Sequence, residues 1–251
     1  MVIFDLPFLV FIYLLIVYFL GGITQGLLGV GLITVVISLL SFVLDVKQTI
    51  ALVLVPTLVT GFYQMIQGEN FKNILSEVKY FLIFSSLIII PGVFLLKILD
   101  SSIILFFIAL ILFLNSSLTL FNKIILIPHY QHPGVQATLG TINGFIIGVT
   151  SIYTMPFVFL LQSLQYPKEK AVQFMGLAFV LYSAVQIITF FSIGLINVST
   201  LVPSLVVTLP VMIGFLIGKK IRGIISENIF RKLFHCMLIL MSLIILANLV
   251  L

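Results

Sequence analysis

No aspartate, glutamate, lysine or arginine lies near the middle of any long apolar run in this 251-residue chain. Its seven carboxylates, Asp5, Asp45, Glu69, Glu77, Asp100, Glu169 and Glu227, fall at the ends of such runs or between them. Charged residues make up 8% of the sequence, against about 25% in soluble domains. That scarcity excludes a soluble fold. Residues 218–232 form the longest polar stretch, read as a loop, so no soluble domain is left over. A buried intramembrane carboxylate would be the default proton relay or counter-charge. With none at depth, sodium or proton coupling through a central carboxylate is not expected. The lone Cys236 cannot form an intramolecular disulfide and is silent on redox compartment. A cleaved leader is not expected either, because Asp5 stands in place of a basic n-region and no small-residue cleavage site follows.

What the chain has is apolar length. Hydrophobic residues account for 62% of it, in runs that recur often enough to cross a ~30 Å hydrocarbon core many times. The expected fold class is an all-α polytopic membrane protein. Glycine, proline and charge punctuate the sequence into ten apolar segments, near 6–28, 30–44, 49–67, 78–99, 101–121, 134–147, 149–165, 170–192, 200–218 and 230–251. Segments 30–44 and 134–147 are shorter than the ~20 residues of a full crossing. The net charge of +5 is carried between and at the ends of segments, where it reads as an orientation signal and not as a nucleic-acid footprint.

A glycine-broken apolar stretch occurs twice, as Gly21-Gly22-Ile23-Thr24-Gln25-Gly26-Leu27-Leu28-Gly29-Val30-Gly31 and as Gly140-Thr141-Ile142-Asn143-Gly144-Phe145-Ile146-Ile147-Gly148-Val149-Thr150. Lipid offers backbone amides no partner, so non-helical backbone at membrane depth survives only where protein buries it or it lines a cavity. The two halves align with an offset of 119 to 122 residues: Gly29-Val30 on Gly148-Val149, Lys47-Gln48-Thr49 on Lys168-Glu169-Lys170, Gln64 on Gln186, and Phe94-Leu95-Leu96 on Phe215-Leu216-Ile217. A first repeat over 1–126, a central loop at 127–133 and a second repeat over 134–251 follow, each repeat having about five segments and one glycine-broken helical hairpin.

An odd number of segments per repeat inverts the second copy, and charge bears on this. If each segment reverses direction, one side receives Lys72, Lys79, Lys123, Lys168, Lys170, Lys219, Lys220, Arg222, Arg231 and Lys232, and the other only Lys47 and Lys97. Ten against two makes the first side cytoplasmic and both termini extracytoplasmic. Whether each hairpin spans or re-enters does not alter this, since its two ends lie on one side either way.

Gly26-Leu27-Leu28-Gly29-Val30-Gly31, followed by an apolar run and a Lys-Gln-Thr turn, resembles the first motif of the TauE/SafE family of sulfite exporters and toluene-sulfonate uptake permeases. Gly144-Phe145-Ile146-Ile147-Gly148-Val149, followed by Met155-Pro156, resembles its second. The usual glycine triplet is reduced to Gly29-Val30-Gly31 in one half and to Gly148 in the other, and the first copy lacks a proline near Ile37 or Ser38. The resemblance covers the whole chain in size, duplication and motif order. It implies a multi-pass permease of a prokaryotic-type inner membrane that moves a small anion of the sulfite, sulfonate or thiosulfate class, without a cofactor.

The breaks offer a means of holding an anion without formal charge. A helix restarting after Gly29 or Gly148 would point unpaired amides and its positive dipole end into a cavity. Thr24, Gln25, Gly26, Gly29, Gly31 and Thr34 form the expected site in one half, and Asn143, Gly144, Gly148, Thr150, Ser151 and Tyr153 in the other. Gln64 and Gln186 occupy equivalent positions and are expected to face the same cavity. The competing reading is packing: Gly22-x-x-x-Gly26 and Gly140-x-x-x-Gly144 suit close helix contact, and Thr34 or Ser151 can bond its own helix. Asn115-Ser116-Ser117 reads as interhelical glue, with lining of the path as the alternative, and Asn143→Ala is expected to weaken anion binding more than Asn115→Ala. Pro56, Pro91, Pro156, Pro203 and Pro210 read as kinks. His129 and His132 lack cysteine or carboxylate partners for a metal, and His235 reads as structural.

Alternating access between two repeats is the leading mechanism. A passive anion channel and a non-transporting membrane scaffold subunit are the alternatives. An enzyme is not expected, since no His-Glu-x-x-His pair or intramembrane aspartate pair is present. Expected partners are a small anion and the lipid bilayer, with no nucleic acid. A homo-oligomer stays open.

Overall fold

The computed structural model describes residues 7–121, 125–153, 156–222 and 227–250. Asp5, Lys123 and Met155 fall outside these residues, as do the side chains of Glu227 and Arg231. Among the described residues the chain forms ten helices and no strand: α1 Phe8–Leu28, α2 Leu32–Leu40, α3 Val46–Met65, α4 Phe71–Ile98, α5 Ser101–Leu120, α6 Pro133–Thr150, α7 Phe157–Leu164, α8 Lys168–Ser192, α9 Val198–Ile221 and α10 Glu227–Val250. Six of them (α1, α3, α4, α5, α8 and α9) are long and apolar enough to cross a bilayer. The chain is an integral, multi-pass membrane protein.

Local chemistry sets the helix ends. Asp45 starts α3 by accepting from the Lys47 and Gln48 amides, which satisfies donors that no helix can satisfy internally. Proline at the first position of α6 follows His132, whose Nδ1 accepts from the Gly134 amide. A reciprocal Asn197–Thr200 capping box opens α9. α1 ends where Gly29 turns left-handed at φ 84°, and Gly31 at φ 119° starts α2. Both values lie in the region that favours glycine.

The second break differs from expectation. α6 does not stop at Gly148 but runs through it to Thr150, and the left-handed residue is Ser151 at φ 58°. Gly148 stays helical because it packs flat against α4, where a Cβ would stand 2.6 Å from the Ile89 carbonyl oxygen. Ser151 tolerates its conformation because its Oγ accepts from the Gln186 amide at 2.8 Å. The expected segment 134–147 is therefore a helix of 18 residues.

α3 and α8 pack against each other and are the most buried of the six candidate spans. α1 packs along α9, α4 along α6, and α5 along α10. In the first two pairs backbones nearly touch. A Cβ on Gly22 would stand 2.2 Å from the Val211 carbonyl oxygen, and one on Gly144 2.2 Å from that of Ser85. Small residues permit such approach where lipid gives no hydrophobic drive for helix association. α2 doubles back on α1, with Leu32 and Val36 against Gly21 and the Tyr13 hydroxyl donating to the Leu39 carbonyl at 2.8 Å. Large apolar side chains such as Leu9, Ile188, Leu209 and Ile213 are exposed on the outer faces, as a hydrocarbon surround requires.

Candidate functional site

Hydrogen bonds tie the helix ends into two groups. At one end, Gln173 of α8 donates to the Met65 and Gly68 carbonyls and accepts from the Asn70 amide at 2.9 Å, joining the end of α3 to the start of α4. Lys170 pairs with Glu77 at 2.8 Å, and Tyr166 also donates to Glu77. Partial burial and the adjacent carboxylate hold the Tyr166 phenol above the ordinary tyrosine range, so it remains a donor. Gln136 of α6 donates to the Glu77 carbonyl at 2.7 Å. Arg222, closing α9, donates to the Gly26 and Leu27 carbonyls at the end of α1, which suits a cation at the negative pole of a helix. With Lys72, Lys79, Lys168, Lys219 and Lys220 on the same helix termini, this is the basic end of the bundle.

At the opposite end the charges among the described residues are fewer and differently used. Lys47 donates to the Lys97 carbonyl at 3.0 Å, and Lys97 donates to the Ile193 carbonyl at 2.9 Å. Two lysines thus link the start of α3 to the ends of α4 and α8. Asp45 accepts from Ser101, which draws in the start of α5.

Between these ends the buried polar groups are neutral. Gln25 Nε2 donates to Thr60 Oγ1 at 2.9 Å and to Gln64 Oε1 at 3.3 Å, while Gln64 Nε2 donates to the Gly29 carbonyl at 3.0 Å. In the other half Gln186 Nε2 donates to Ser151 Oγ and to the Ile147 carbonyl, and Gln186 Oε1 accepts from the Tyr153 hydroxyl at 2.5 Å. Asn143 Nδ2 donates to Ser85 Oγ at 3.1 Å and to the Tyr182 hydroxyl at 3.3 Å. Tyr153 stacks edge-on to Tyr182, with centroids 5.8 Å apart.

Two cavities meet at the start of α2. The smaller, of about 20 Å³, is lined by Gln25, Val30, Gly31, Leu32, Ile33, Thr34, Thr57, Tyr153 and Phe179, and has room for about one water. A larger cavity of about 420 Å³ shares Val30, Gly31 and Thr34 with it and extends to Tyr166, Lys168 and Arg222 at the basic end. Asn115, Gln162, His235 and apolar residues from α1, α7, α8 and α10 complete its wall. Gly31 has no side chain to cap α2, and the first-turn residues Leu32, Ile33 and Thr34, whose amides lack partners within a helix, line the smaller cavity.

The expected site residues separate into four groups. Gly31 and Thr34 line both cavities, and Gln25 and Tyr153 line the smaller one. Gly29, Gln64, Ser151 and Gln186 form the ties that hold the two helix breaks. Gly26, Gly144 and Gly148 lie against backbone carbonyls of α9 or α4. Thr24 and Thr150 bond the carbonyls of Gly21 and Ile146 in their own helices, and Asn143 sits in the Ser85–Tyr182 knot. Sequence reasoning did not assign Asn115, Lys168, Arg222 or His235 to a site. Two of these are segment-end cations, and their coincidence with a cavity is visible only in three dimensions.

The family model "Sulfite exporter TauE/SafE" matches residues 14–245 of the chain. No curated protein and no solved structure gives a match.

Proposed function

The chain belongs to the sulfite exporter TauE/SafE family, and from that membership we propose that it is a carrier of a small sulfur-containing oxyanion working by alternating access between two inverted repeats. Membership in this family makes the chain a membrane transporter with a small substrate. Substrate identity within the sulfite, sulfonate and thiosulfate class, and the mechanism, are our reading.

Inverted repetition over 1–126 and 134–251 has support in recurring contacts. Gly22 and Gly26 meet the carbonyls of Val211 and Phe215, as Gly144 and Gly148 meet those of Ser85 and Ile89. Gly29 and Ser151, the left-handed ends of α1 and α6, are 122 residues apart (151 − 29), the same spacing as Gln64 and Gln186 (186 − 64), which hold them. α1 ends at the basic end, whereas α6 begins there. The excess of cations supports a cytoplasmic basic end, with both termini outside an inner membrane.

One observation carries the functional reading: the 420 Å³ cavity leads from Lys168 and Arg222 to the uncapped start of α2 at Gly31 and Thr34. Cations at the mouth attract an anion. Helix-terminal amides then receive it without a fixed charge that would prevent release. Beyond Gly31 the path narrows to the 20 Å³ cavity walled by Tyr153, too small for an oxyanion. The arrangement corresponds to an inward-facing carrier, with the Lys47–Lys97–Ile193 chain closing the outer end.

Counterflow in proteoliposomes tests this. Vesicles preloaded with unlabelled thiosulfate should transiently accumulate labelled thiosulfate, with saturation at rising concentration. Linear, unsaturated uptake with measurable conductance would favour a channel. Flux equal to protein-free vesicles across sulfite, thiosulfate and methanesulfonate would overturn the reading.

A further inference from the structure

We propose that the small cavity at the start of α2 is a hydroxyl-binding pocket, so that the transported anion carries an O–H group beside its oxyanion head. This rests on the anion-carrier reading above and names the substrate within it. Thr60 Oγ1 donates to the Pro56 carbonyl at 2.8 Å, and Gln64 Nε2 donates to the Gly29 carbonyl at 3.0 Å. Thr60 Oγ1 and Gln64 Oε1 are therefore acceptors, and Gln25 Nε2 donates to both. A side-chain amide has two donor hydrogens and one carbonyl oxygen, so Gln25 has only Oε1 left to offer. Among the described residues nothing donates to that oxygen, although Gln25 is 1% exposed and lines the small cavity. Thr57 and Tyr153 on the same wall have also committed their protons. Thr57 donates to the Val53 carbonyl at 2.8 Å and Tyr153 to Gln186 Oε1 at 2.5 Å.

Three side chains that can only accept thus share one small space with donors. Leu32, Ile33 and Thr34 line it too, and first-turn amides have no partner within a helix. The Thr34 hydroxyl is bonded to no described residue, although Thr34 is 5% exposed and lines both cavities. A bare oxyanion oxygen would suit the amides but would bring no proton to Gln25, Thr57 or Tyr153. An ammonium would suit those acceptors but would sit at the positive pole of α2. A hydroxyl donates once and accepts twice, so it satisfies both sets. A volume of about 20 Å³ has room for one such group. The oxyanion head then stays in the larger cavity, which shares Val30, Gly31 and Thr34 with the small one. A short hydroxyalkanesulfonate, with its sulfonate in one cavity and its O–H in the other, is the class of ligand that fits.

The test uses the purified full-length chain with ethanesulfonate, 2-hydroxyethanesulfonate and 2-aminoethanesulfonate, which share a sulfonate and a carbon body, and with thiosulfate. Titration calorimetry should find 2-hydroxyethanesulfonate bound about tenfold or more tightly than ethanesulfonate, because an analogue lacking the hydroxyl leaves the pocket's polar groups unpaired. 2-Aminoethanesulfonate should bind no better than ethanesulfonate. Thr57→Val keeps the shape of the wall, removes one acceptor and should cut the hydroxyl preference about five-fold. Thr208→Val removes a buried hydroxyl with the same kind of bond to its own helix, here to the Ser204 carbonyl in α9, and should leave the preference as it was. Equal affinity for ethanesulfonate and 2-hydroxyethanesulfonate, or a preference for the amine, overturns the hydroxyl pocket and leaves the carrier reading standing. A hydroxyl preference that Thr57→Val leaves intact overturns the pocket as well. Binding of thiosulfate with none of the three sulfonates overturns the pocket alone, and no binding of any of the four overturns both readings. If Thr57→Val fails to fold, the comparison of ligands on the unsubstituted protein still decides.

Discussion

Gln64 and Gln186, buried in the packed pair α3 and α8, each donate Nε2 to the residue at which another helix breaks. Gln64 reaches the Gly29 carbonyl at 3.0 Å and Gln186 the Ser151 hydroxyl at 2.8 Å. Each glutamine thus fixes a stretch of non-helical backbone that lipid could not satisfy, and each does so from α3 or α8, outside the broken pair itself.

Replacing Gln64 with leucine should therefore destabilise the fold by about 1–3 kcal/mol, because the Gly29 carbonyl and the Gln25 amide lose a partner in a buried setting. Thermal unfolding in detergent measures this. Gln131→Leu, in an exposed turn, should leave the midpoint unchanged. The double change Gln25→Leu with Gln64→Leu should recover part of the loss, since removing both partners costs less than removing one.

Close glycine packing gives a second expectation. Gly144→Ala forces a Cβ to within 2.2 Å of the Ser85 carbonyl oxygen, and should cost about 1–3 kcal/mol as α6 is pushed off α4. Gly194→Ala meets nothing within 4 Å and pays only for its φ of 77°, about 1 kcal/mol. Midpoints for the two variants, compared under one condition, should rank accordingly.

Asn115 and Asn143 should exchange the ranking that sequence alone suggests. Asn115 lines the large cavity, whereas Asn143 is fully buried in its knot with Ser85 and Tyr182. Asn115→Ala is expected to weaken thiosulfate binding roughly five-fold, the worth of one hydrogen bond. Asn143→Ala should lower the unfolding midpoint and change affinity less than two-fold. Calorimetry and thermal unfolding separate the two effects.

At the end away from the basic cluster, Lys97→Met removes the tie from α4 to the Ile193 carbonyl. The outer end should open more often. A cysteine introduced at Thr189, which is 5% exposed, should react several-fold faster with a membrane-impermeant maleimide in a Cys236→Ser background. Lys72→Met, at the basic end, should leave that rate unchanged.

Some of this was legible in the residues and some was not. Apolar runs mark the spans because hydrocarbon demands their length. The first break was legible because Gly29 and Gly31 are glycines that the backbone uses as such. The second was misplaced by three residues because a left-handed serine carries no sequence mark; it exists through a bond to Gln186, 35 residues away. Gln64 and Gln186 stood out as costly to bury, but what they bind did not. The cavity was hidden for a different reason. Leu27, Leu161 and Leu238 line it, and in a chain so rich in apolar residues these look like any others.

Among the described residues, no aspartate, glutamate, lysine or arginine is buried. On the carrier reading, a return with the cavity vacant takes no buried aspartate, glutamate, lysine or arginine among the described residues through the membrane potential. The electric field, worth about 2.3 kcal/mol per elementary charge per 100 mV, then acts on the loaded passage alone. A membrane voltage would set the speed of one half of the cycle and leave the other half indifferent to it.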